Sequence, residues 1–347
     1  MRVGVTAAEL DHGTTKSIGI YNVALGLCRG LAQCAGIRQV VIRCDRAFQK
    51  ALDLESDKFE FDLIERPVSG VRRVLWECYG ASRWADQQQV DWVIFPKGFT
   101  PLSRPQTAKI CTYVQDVMHD FYAVHYPDCQ SLAQKLYFPR LFQSTLTRAD
   151  LVVTASEFAR QEVITRGRRD AVTTIGIGFE QQHRIKGHNK HDVLIYLSSA
   201  PHKLSQTMID YVARYQRESA ADLNVCGLGS ALQSETDKHG WTHYSRISDQ
   251  EYEALSSSVR VVVYASEYEG YGMPPVERLI SEQGVICSDI EPMASHVDPA
   301  LLFCNTSYES FADVLGKALA RESWESLLLL ETECWQQVAA KLVKELQ

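Results

Sequence analysis

The chain has no apolar run approaching the roughly 20 residues that a membrane-spanning helix needs, and its longest apolar stretches are strand-sized. Arg2-Val3-Gly4-Val5 enters a strand at once, without a long apolar h-region, so the expectation is a chain with no signal peptide. Its cysteines, at 28, 34, 44, 78, 111, 129, 226, 287, 304 and 334, form no C-x-x-C pair and no Cys/His cluster. That excludes a zinc ribbon and a redox dithiol. Most of them stand in apolar runs such as Val225-Cys226 and Val285-Ile286-Cys287, and read as small hydrophobes in a reduced, cytoplasmic setting. No D-x-D triplet marks a strand end as a metal site would require, so neither metal nor cofactor is expected. No basic stripe interleaves with aromatics, which argues against nucleic acid. The first βα turn lacks G-x-G-x-x-G, and Gly227-Leu228-Gly229 lacks the third glycine, which disfavours a NAD-dependent oxidoreductase.

What is present is an ordinary globular composition, 45% apolar and 23% charged, over 347 residues. That is too long for one core and suits two domains. The charge is uneven: 22 Lys and Arg stand against 20 Asp and Glu up to residue 183, and 14 against 23 thereafter. Surface scatter explains this, and so does a first half that faces a membrane or an anionic acceptor.

Short β-branched runs alternate with helical stretches along the chain. Strands are expected at 3–6, 40–43, 59–64, 92–95, 110–114 and 151–154. Helices are expected at 71–86 and 131–147, after Ser156-Glu157, and where Ile20, Val23, Ala24, Leu27 and Leu31 recur at helical spacing. The polar, basic stretch 183–191 reads as a linker. The alternation then restarts, with strands at 193–197, 223–226, 261–264 and 285–288 and helices at 205–215, 249–256 and 275–282. From Ser307 the tail reads as helical almost throughout. Such alternation means parallel sheets covered by helices on both faces, with ligands outside the carboxyl ends of the strands.

The most informative segment is Ser266-Glu267-Tyr268-Glu269-Gly270-Tyr271-Gly272-Met273-Pro274-Pro275-Val276-Glu277, directly after an apolar strand. Strand, Gly-rich loop and proline-started helix form a place where backbone N–H groups point at an anion. Pro274 and Pro275 forbid one helix through both glutamates, which puts Glu269 on the loop and Glu277 in the first helical turn. Singly, Glu269 would pass for a solvated loop residue and Glu277 for a carboxylate favoured by the helix dipole. Together the segment resembles the E-x₇-E signature of retaining GT-B glycosyltransferases of family 4, extending through Val285-Ile286-Cys287-Ser288.

The resemblance implies a GT-B architecture: two Rossmann-like doubly wound α/β domains facing a central cleft. These would be an acceptor-binding domain at 1–183, a nucleotide-sugar-binding domain at 184–325, and a C-terminal helix at 326–347 crossing back to the first. It implies that Glu269 contacts donor sugar hydroxyls, that backbone amides of Gly270, Tyr271 and Gly272 hold the sugar and β-phosphate, and that Glu277 binds the ribose. Lys203, in Ser198-Ser199-Ala200-Pro201-His202-Lys203, would meet the diphosphate. Ser198 stands where many members carry an arginine, and is expected beside the donor. In Thr112-Tyr113-Val114-Gln115-Asp116-Val117-Met118-His119-Asp120, His119 would face the donor sugar with Asp120 as support. Gly19 would lie near the diphosphate, although Thr14-Thr15-Lys16 replaces a tighter Gly-Gly pair. Ala149 to Phe158 and the segment from Trp335 to Ala339 also match the family, so the resemblance spans nearly the whole chain.

The implied activity is metal-independent, retaining transfer from a GDP- or UDP-linked sugar to a glycan or lipid-linked glycan, in surface-polysaccharide synthesis. The setting is cytoplasmic, with peripheral contact at the inner face of a membrane. Residues 71–76 and 137–142 are the candidates for that contact, and loops 227–230 and 246–248 for the donor base. Competing readings are a sugar phosphorylase or sugar-nucleotide epimerase on the same fold, and a non-catalytic binding or assembly protein. Ser198 and the altered first loop favour the last. The joint presence of Glu269, Glu277, Lys203 and His119 speaks against it.

Overall fold

A computed structural model of the chain describes every residue except 11–17, 66–71, 73, 74, 168, 181–189 and 246. Thr14-Thr15-Lys16, the linker up to 189, most of the segment 71–74 and Arg246 therefore lie outside the described residues. The chain forms two compact units, Met1–Glu180 with Thr332–Gln347, and Gln181–Glu331.

In the first unit the strands are β1 (Arg2–Thr6), β2 (Gln39–Asp45), β3 (Phe59–Ile64), β4 (Trp92–Phe95), β5 (Lys109–Val114), β6 (Leu151–Thr154) and β7 (Thr173–Thr174). They form one sheet in the order β3-β2-β1-β4-β5-β6-β7, and every pairing is parallel. Central strands such as Trp-Val-Ile-Phe in β4 are apolar at every position because both faces are covered. The second unit has β8 (His191–Tyr196), β9 (Val225–Leu228), β10 (Thr242–Tyr244), β11 (Val259–Tyr264), β12 (Gly284–Ser288) and β13 (Leu302–Phe303). Its order is β10-β9-β8-β11-β12-β13, again all parallel. Parallel strands send every following loop to the same sheet edge, which gathers distant sequence segments at the carboxyl end.

The C-terminal helix Trp335–Leu346 packs in the first unit against helix Ile18–Gln33. Two glycines make that approach possible. A Cβ on Gly26 would stand 1.9 Å from Trp335 Cε2, and one on Gly30 would stand 2.2 Å from the Trp335 carbonyl oxygen.

Several expectations are corrected. The tail is not one helical stretch: helix Tyr308–Ala320 ends, and residues 321–334 are irregular before Trp335. Leu327-Leu328-Leu329-Leu330 has no 3.6-residue stripe to bury. It pairs instead with 296–298, where Asp298 N donates to Leu327 O and Leu329 N to His296 O, each at 2.8 Å. Leu327 is buried there and Leu329 is exposed. The strand expected at 223–226 lies at Val225–Leu228. The helix expected at 71–86 contains a π-helical turn at Trp76–Gly80 before helix Ala81–Gln87. The helix expected at 275–282 is Met273–Ile280, so Glu277 is its fifth residue and no acidic residue lies in the first turn. Pro274 and Pro275 occupy positions where a missing N–H costs nothing. Seven of the cysteines are buried and Cys129, Cys304 and Cys334 are exposed; all are free.

Candidate active site

The second unit's site is built on β8 and β11, which lie side by side. After β8 the chain makes a short 3₁₀ turn, Pro201–Lys203, and after β11 it enters the loop that carries Glu269. Adjacent parallel strands thus bring Lys203 and Glu269, 66 residues apart, into an ion pair through Lys203 Nζ and Glu269 Oε1. Tyr264, the last residue of β11, completes the cluster. Its hydroxyl donates to Glu269 Oε1 at 3.0 Å and accepts from Lys203 Nζ at 3.1 Å. The Lys203 and Glu269 side chains remain 27% and 13% exposed, partly shielded but open to a ligand. Glu269 Oε2 has no partner among the described residues. Burial, then the adjacent Glu269 carboxylate, raise the Tyr264 phenol well above its ordinary range, so its proton stays on the oxygen.

The loop is braced from below. Ser266 N donates to Ser288 Oγ at 2.8 Å, Ser288 Oγ donates to Asn305 Oδ1 at 2.6 Å, and Asn305 Nδ2 donates back to Ser266 O at 2.8 Å. This ring joins the ends of β11, β12 and β13. The Ser266 hydroxyl donates to Tyr268 O at 3.0 Å, and Glu267 N donates to His202 O at 2.8 Å, tying the Glu269 loop to the Lys203 turn. His202 is buried, and desolvation aided by Lys203 lowers its pKa to about 4, so its ring is neutral at neutral pH. At the far end of the loop Gly272 caps the helix with φ +79°. A Cβ there would fall 2.5 Å from Met293 Sδ, so both conformation and space call for glycine. Because Pro274 and Pro275 carry no N–H, the helix start offers few donors for an anion. The Tyr271 ring lies 4.5 Å from that of His296, another buried histidine, lowered by desolvation to about 4.

Glu277 accepts no hydrogen bond from any described residue, and desolvation alone raises its pKa. A half-buried carboxylate without a partner is costly and suits a ligand that supplies hydroxyl donors. Its neighbour Arg278 does the opposite. Buried, it donates to Val259 O (3.2 Å), Gly284 O (2.9 Å) and Ser256 O (2.5 Å), and so clamps the starts of β11 and β12 to helix Asp249–Ser257. Ser198 shapes its own turn, its Oγ accepting from Ala200 N at 3.1 Å while its N–H donates to Ser205 Oγ at 2.9 Å. Gly229 follows β9 at φ +150°, and a Cβ would stand 1.8 Å from Leu197 O.

In the first unit, Gly19 and His119 both follow carboxyl ends of strands. Gly19 is exposed in the opening turn of helix Ile18–Gln33, and a Cβ there would meet nothing within 4 Å. His119 is the second residue of helix Met118–His125, and its side chain is 10% exposed among the rings of Phe99, Phe138 and Phe142, at 5.9, 6.3 and 4.8 Å. Its Nε2 stands 3.3 Å from Asp120 Oδ1. Desolvation lowers its pKa, opposed by Asp120 and reinforced by Arg166. Among the described residues no group of three or more His, Cys, Asp or Glu is placed to hold a metal ion, and no helix is long and apolar enough to cross a membrane.

Sequence reasoning missed Tyr264, Ser266, Asn305 and Arg278. Tyr264 carried a faint signal, as a hydroxyl-bearing residue ending an otherwise apolar strand. Asn305 carried none, because its role depends on β13 lying beside β12.

No protein-family model matches the chain. The O-antigen chain mannosyltransferase RfbU of Salmonella typhimurium is 27% identical over 219 residues, covering 60% of this chain; the chain spans 59% of that relative's length. HepE of Anabaena, solved with UDP and glucose, matches with a TM-score of 0.66 over 100% of this chain and 97% of its own at 14% identity. WaaG, a glycosyltransferase involved in lipopolysaccharide biosynthesis, matches with a TM-score of 0.63 over 99% of this chain and 95% of its own at 12% identity. The chain has the fold of the GT-B glycosyltransferases, with two Rossmann-like α/β domains on all-parallel sheets of seven and six strands.

Proposed function

We propose that the chain is a retaining, metal-independent glycosyltransferase of the family 4 type, using a GDP- or UDP-linked sugar and a glycan or lipid-linked glycan acceptor in surface-polysaccharide assembly. The observation that carries this is the Lys203–Glu269–Tyr264 cluster beside the Gly270–Gly272 turn and the partnerless Glu277. The named activities of RfbU and WaaG, and the UDP and glucose with which HepE was solved, support it. In this reading Lys203 meets the diphosphate and stabilises the charge that builds as the bond from anomeric carbon to phosphate oxygen breaks. Glu269 accepts from sugar hydroxyls through its unpaired oxygen, and Glu277 accepts from the ribose. The acceptor oxygen bonds to the anomeric carbon on the face the phosphate leaves, and its proton passes to the departing phosphate oxygen. Gly19 and His119 are assigned to the same donor on the resemblance of their segments, and His119→Ala tests that assignment by its effect on transfer.

A second observation bears on the acceptor. The hairpin of helices Met118–His125 and Leu132–Arg148 exposes Val124 (69%), Leu132 (74%) and Leu136 (50%). Lys135 and Arg140 stand beside them, and no acidic residue occurs between 129 and 149. Large apolar side chains flanked by cations suit an anionic membrane surface, where a lipid-linked acceptor resides. Flotation with anionic vesicles should succeed for the wild type and fail for Leu132→Ser/Leu136→Ser. Equal recovery of both proteins would remove the membrane from the proposal.

The deciding experiment is a thermal-shift panel with GDP, UDP, ADP and their sugar conjugates, without and then with magnesium. A nucleotide at a hundred times its Kd should add about 2.7 kcal/mol. A shift with one nucleotide that magnesium leaves unchanged and Glu277→Ala abolishes supports the reading. No shift with any nucleotide refutes it and favours a non-catalytic assembly role.

A further inference from the structure

The Lys203–Glu269 ion pair poses a problem for the donor site proposed above. A diphosphate has to draw Lys203 away from the carboxylate that neutralises it, and Glu269 has to stay in place to receive sugar hydroxyls. A flexible four-carbon stem and a loop carboxylate would both drift once their mutual attraction was redirected. Tyr264 is the group that touches both.

Its hydroxyl uses its donor on Glu269 Oε1 and one lone pair on Lys203 Nζ. The ammonium has three N–H groups. One goes to Glu269 and one to Tyr264, which leaves one for a ligand. Glu269 spends Oε1 on both partners and keeps Oε2. The arrangement therefore presents one cationic donor and one carboxylate acceptor side by side. The tyrosine itself cannot swing. It ends the central strand β11, is buried, and stacks edge-on against Tyr196 at 6.0 Å between centroids. Tyr196 ends β8, and its hydroxyl lies 2.8 Å from that of Tyr252 on helix Asp249–Ser257. The adaptor is fixed by the strand ends rather than by the mobile groups it serves.

We propose that Tyr264 is a positioning residue for donor binding and transfer, its hydroxyl holding Lys203 and Glu269 in their binding geometry when the ligand exchanges their ion pair for its own contacts. The proposal rests on the donor-site reading. Its test uses the whole chain and Tyr264→Phe, which keeps the ring and its packing.

Two quantities are read. The first is the rate of Lys203 acylation by trace acetic anhydride across pH 6 to 9, relative to exposed Lys344, by mass spectrometry on protein without nucleotide. The second is the affinity for UDP and GDP by calorimetry. Lys203 should acylate several-fold more slowly than Lys344 in the wild type, and Tyr264→Phe should narrow that gap. The same variant should weaken nucleoside diphosphate binding by about tenfold, as the loss of a hydrogen bond to a charged group does. A variant that binds as tightly as the wild type, with an unchanged Lys203 profile, overturns the proposal and leaves the donor site standing. A wild type that binds neither nucleotide overturns both. Should Tyr264→Phe fold poorly, the wild type still decides, since a Lys203 that acylates as fast as Lys344 is not held.

Discussion

Gly19 and Gly30 stand on the same helix, Ile18–Gln33, and alanine should move stability in opposite directions at the two positions. In a helix interior Gly→Ala gains about 0.8–1 kcal/mol from backbone entropy and shielding. At Gly19, in the opening turn with open space around the added carbon, the change should be neutral or stabilising by a few tenths of a kcal/mol. At Gly30 the added carbon would lie 2.2 Å from the Trp335 carbonyl oxygen, 2.7 Å from its carbon and 2.8 Å from Ala339 Cβ. Helix Trp335–Leu346 would have to retreat by roughly 1 Å to restore ordinary contact, and overpacking of this kind costs about 1–3 kcal/mol. The obstacle is backbone, which no rotamer change relieves, so the upper part of that range applies. The net loss should be about 1–2 kcal/mol after the propensity gain. For a domain of this size that lowers Tm by roughly 2–8 °C. Scanning calorimetry of wild type, Gly19→Ala and Gly30→Ala reads the difference. A Gly30→Ala protein as stable as the wild type would refute the close packing of the two helices, and a Gly19→Ala loss above about 1 kcal/mol would refute the open space at that turn.

Glu277 should show a conflict between binding and stability. Its carboxyl is raised by desolvation, so the fold holds the proton more tightly than the unfolded chain does and loses stability as the pH rises through the folded pKa. Glu277→Gln should therefore be more stable than the wild type at pH 7 in urea unfolding and lose nucleotide binding in the same preparation; a destabilised variant contradicts this account. Arg278→Met should be among the most damaging single changes outside the site, costing about 3 kcal/mol or more, because it strands the carbonyls of Val259, Gly284 and Ser256; a drop below about 1 kcal/mol would show the clamp to be dispensable. His202 and His296 have folded pKa values lowered to about 4, so the unfolded chain binds more protons between about 4 and 6.5. Their contribution is complete above pH 6.5 and is lost as the pH falls towards 4, up to roughly 3 kcal/mol each. Urea midpoints at pH 7, 5.5 and 4.5 should fall accordingly, and His296→Gln should flatten the slope; an unchanged slope in that variant would assign it elsewhere.

The sequence by itself determined the class of the fold. Runs such as Val261-Val262-Val263 are too short and too uniformly apolar for anything but strands covered on both faces, and their alternation with helical periods leaves parallel sheets as the consistent arrangement. It also marked Glu269 and Glu277, because a Gly-rich loop closed by two prolines is a local feature that neighbouring residues spell out, whereas Lys203 was singled out only by the family resemblance of its segment. It did not determine the tail, where four leucines carry no periodicity and their pairing with 296–298 chose the extended form. Nor did it give the opening of the Glu277 helix, which Gly272 in the left-handed region moves two residues towards the N-terminus. Tertiary structure alone decided what joins what. Lys203 reaches Glu269 because β8 and β11 are neighbours, Tyr264 bridges them because it ends one of those strands, and Ser266 is braced by Asn305 because β13 lies beside β12. Local pattern fixes an element and the face it buries. The partner across a sheet edge depends on strand order, and strand order is set by the packing of the whole unit.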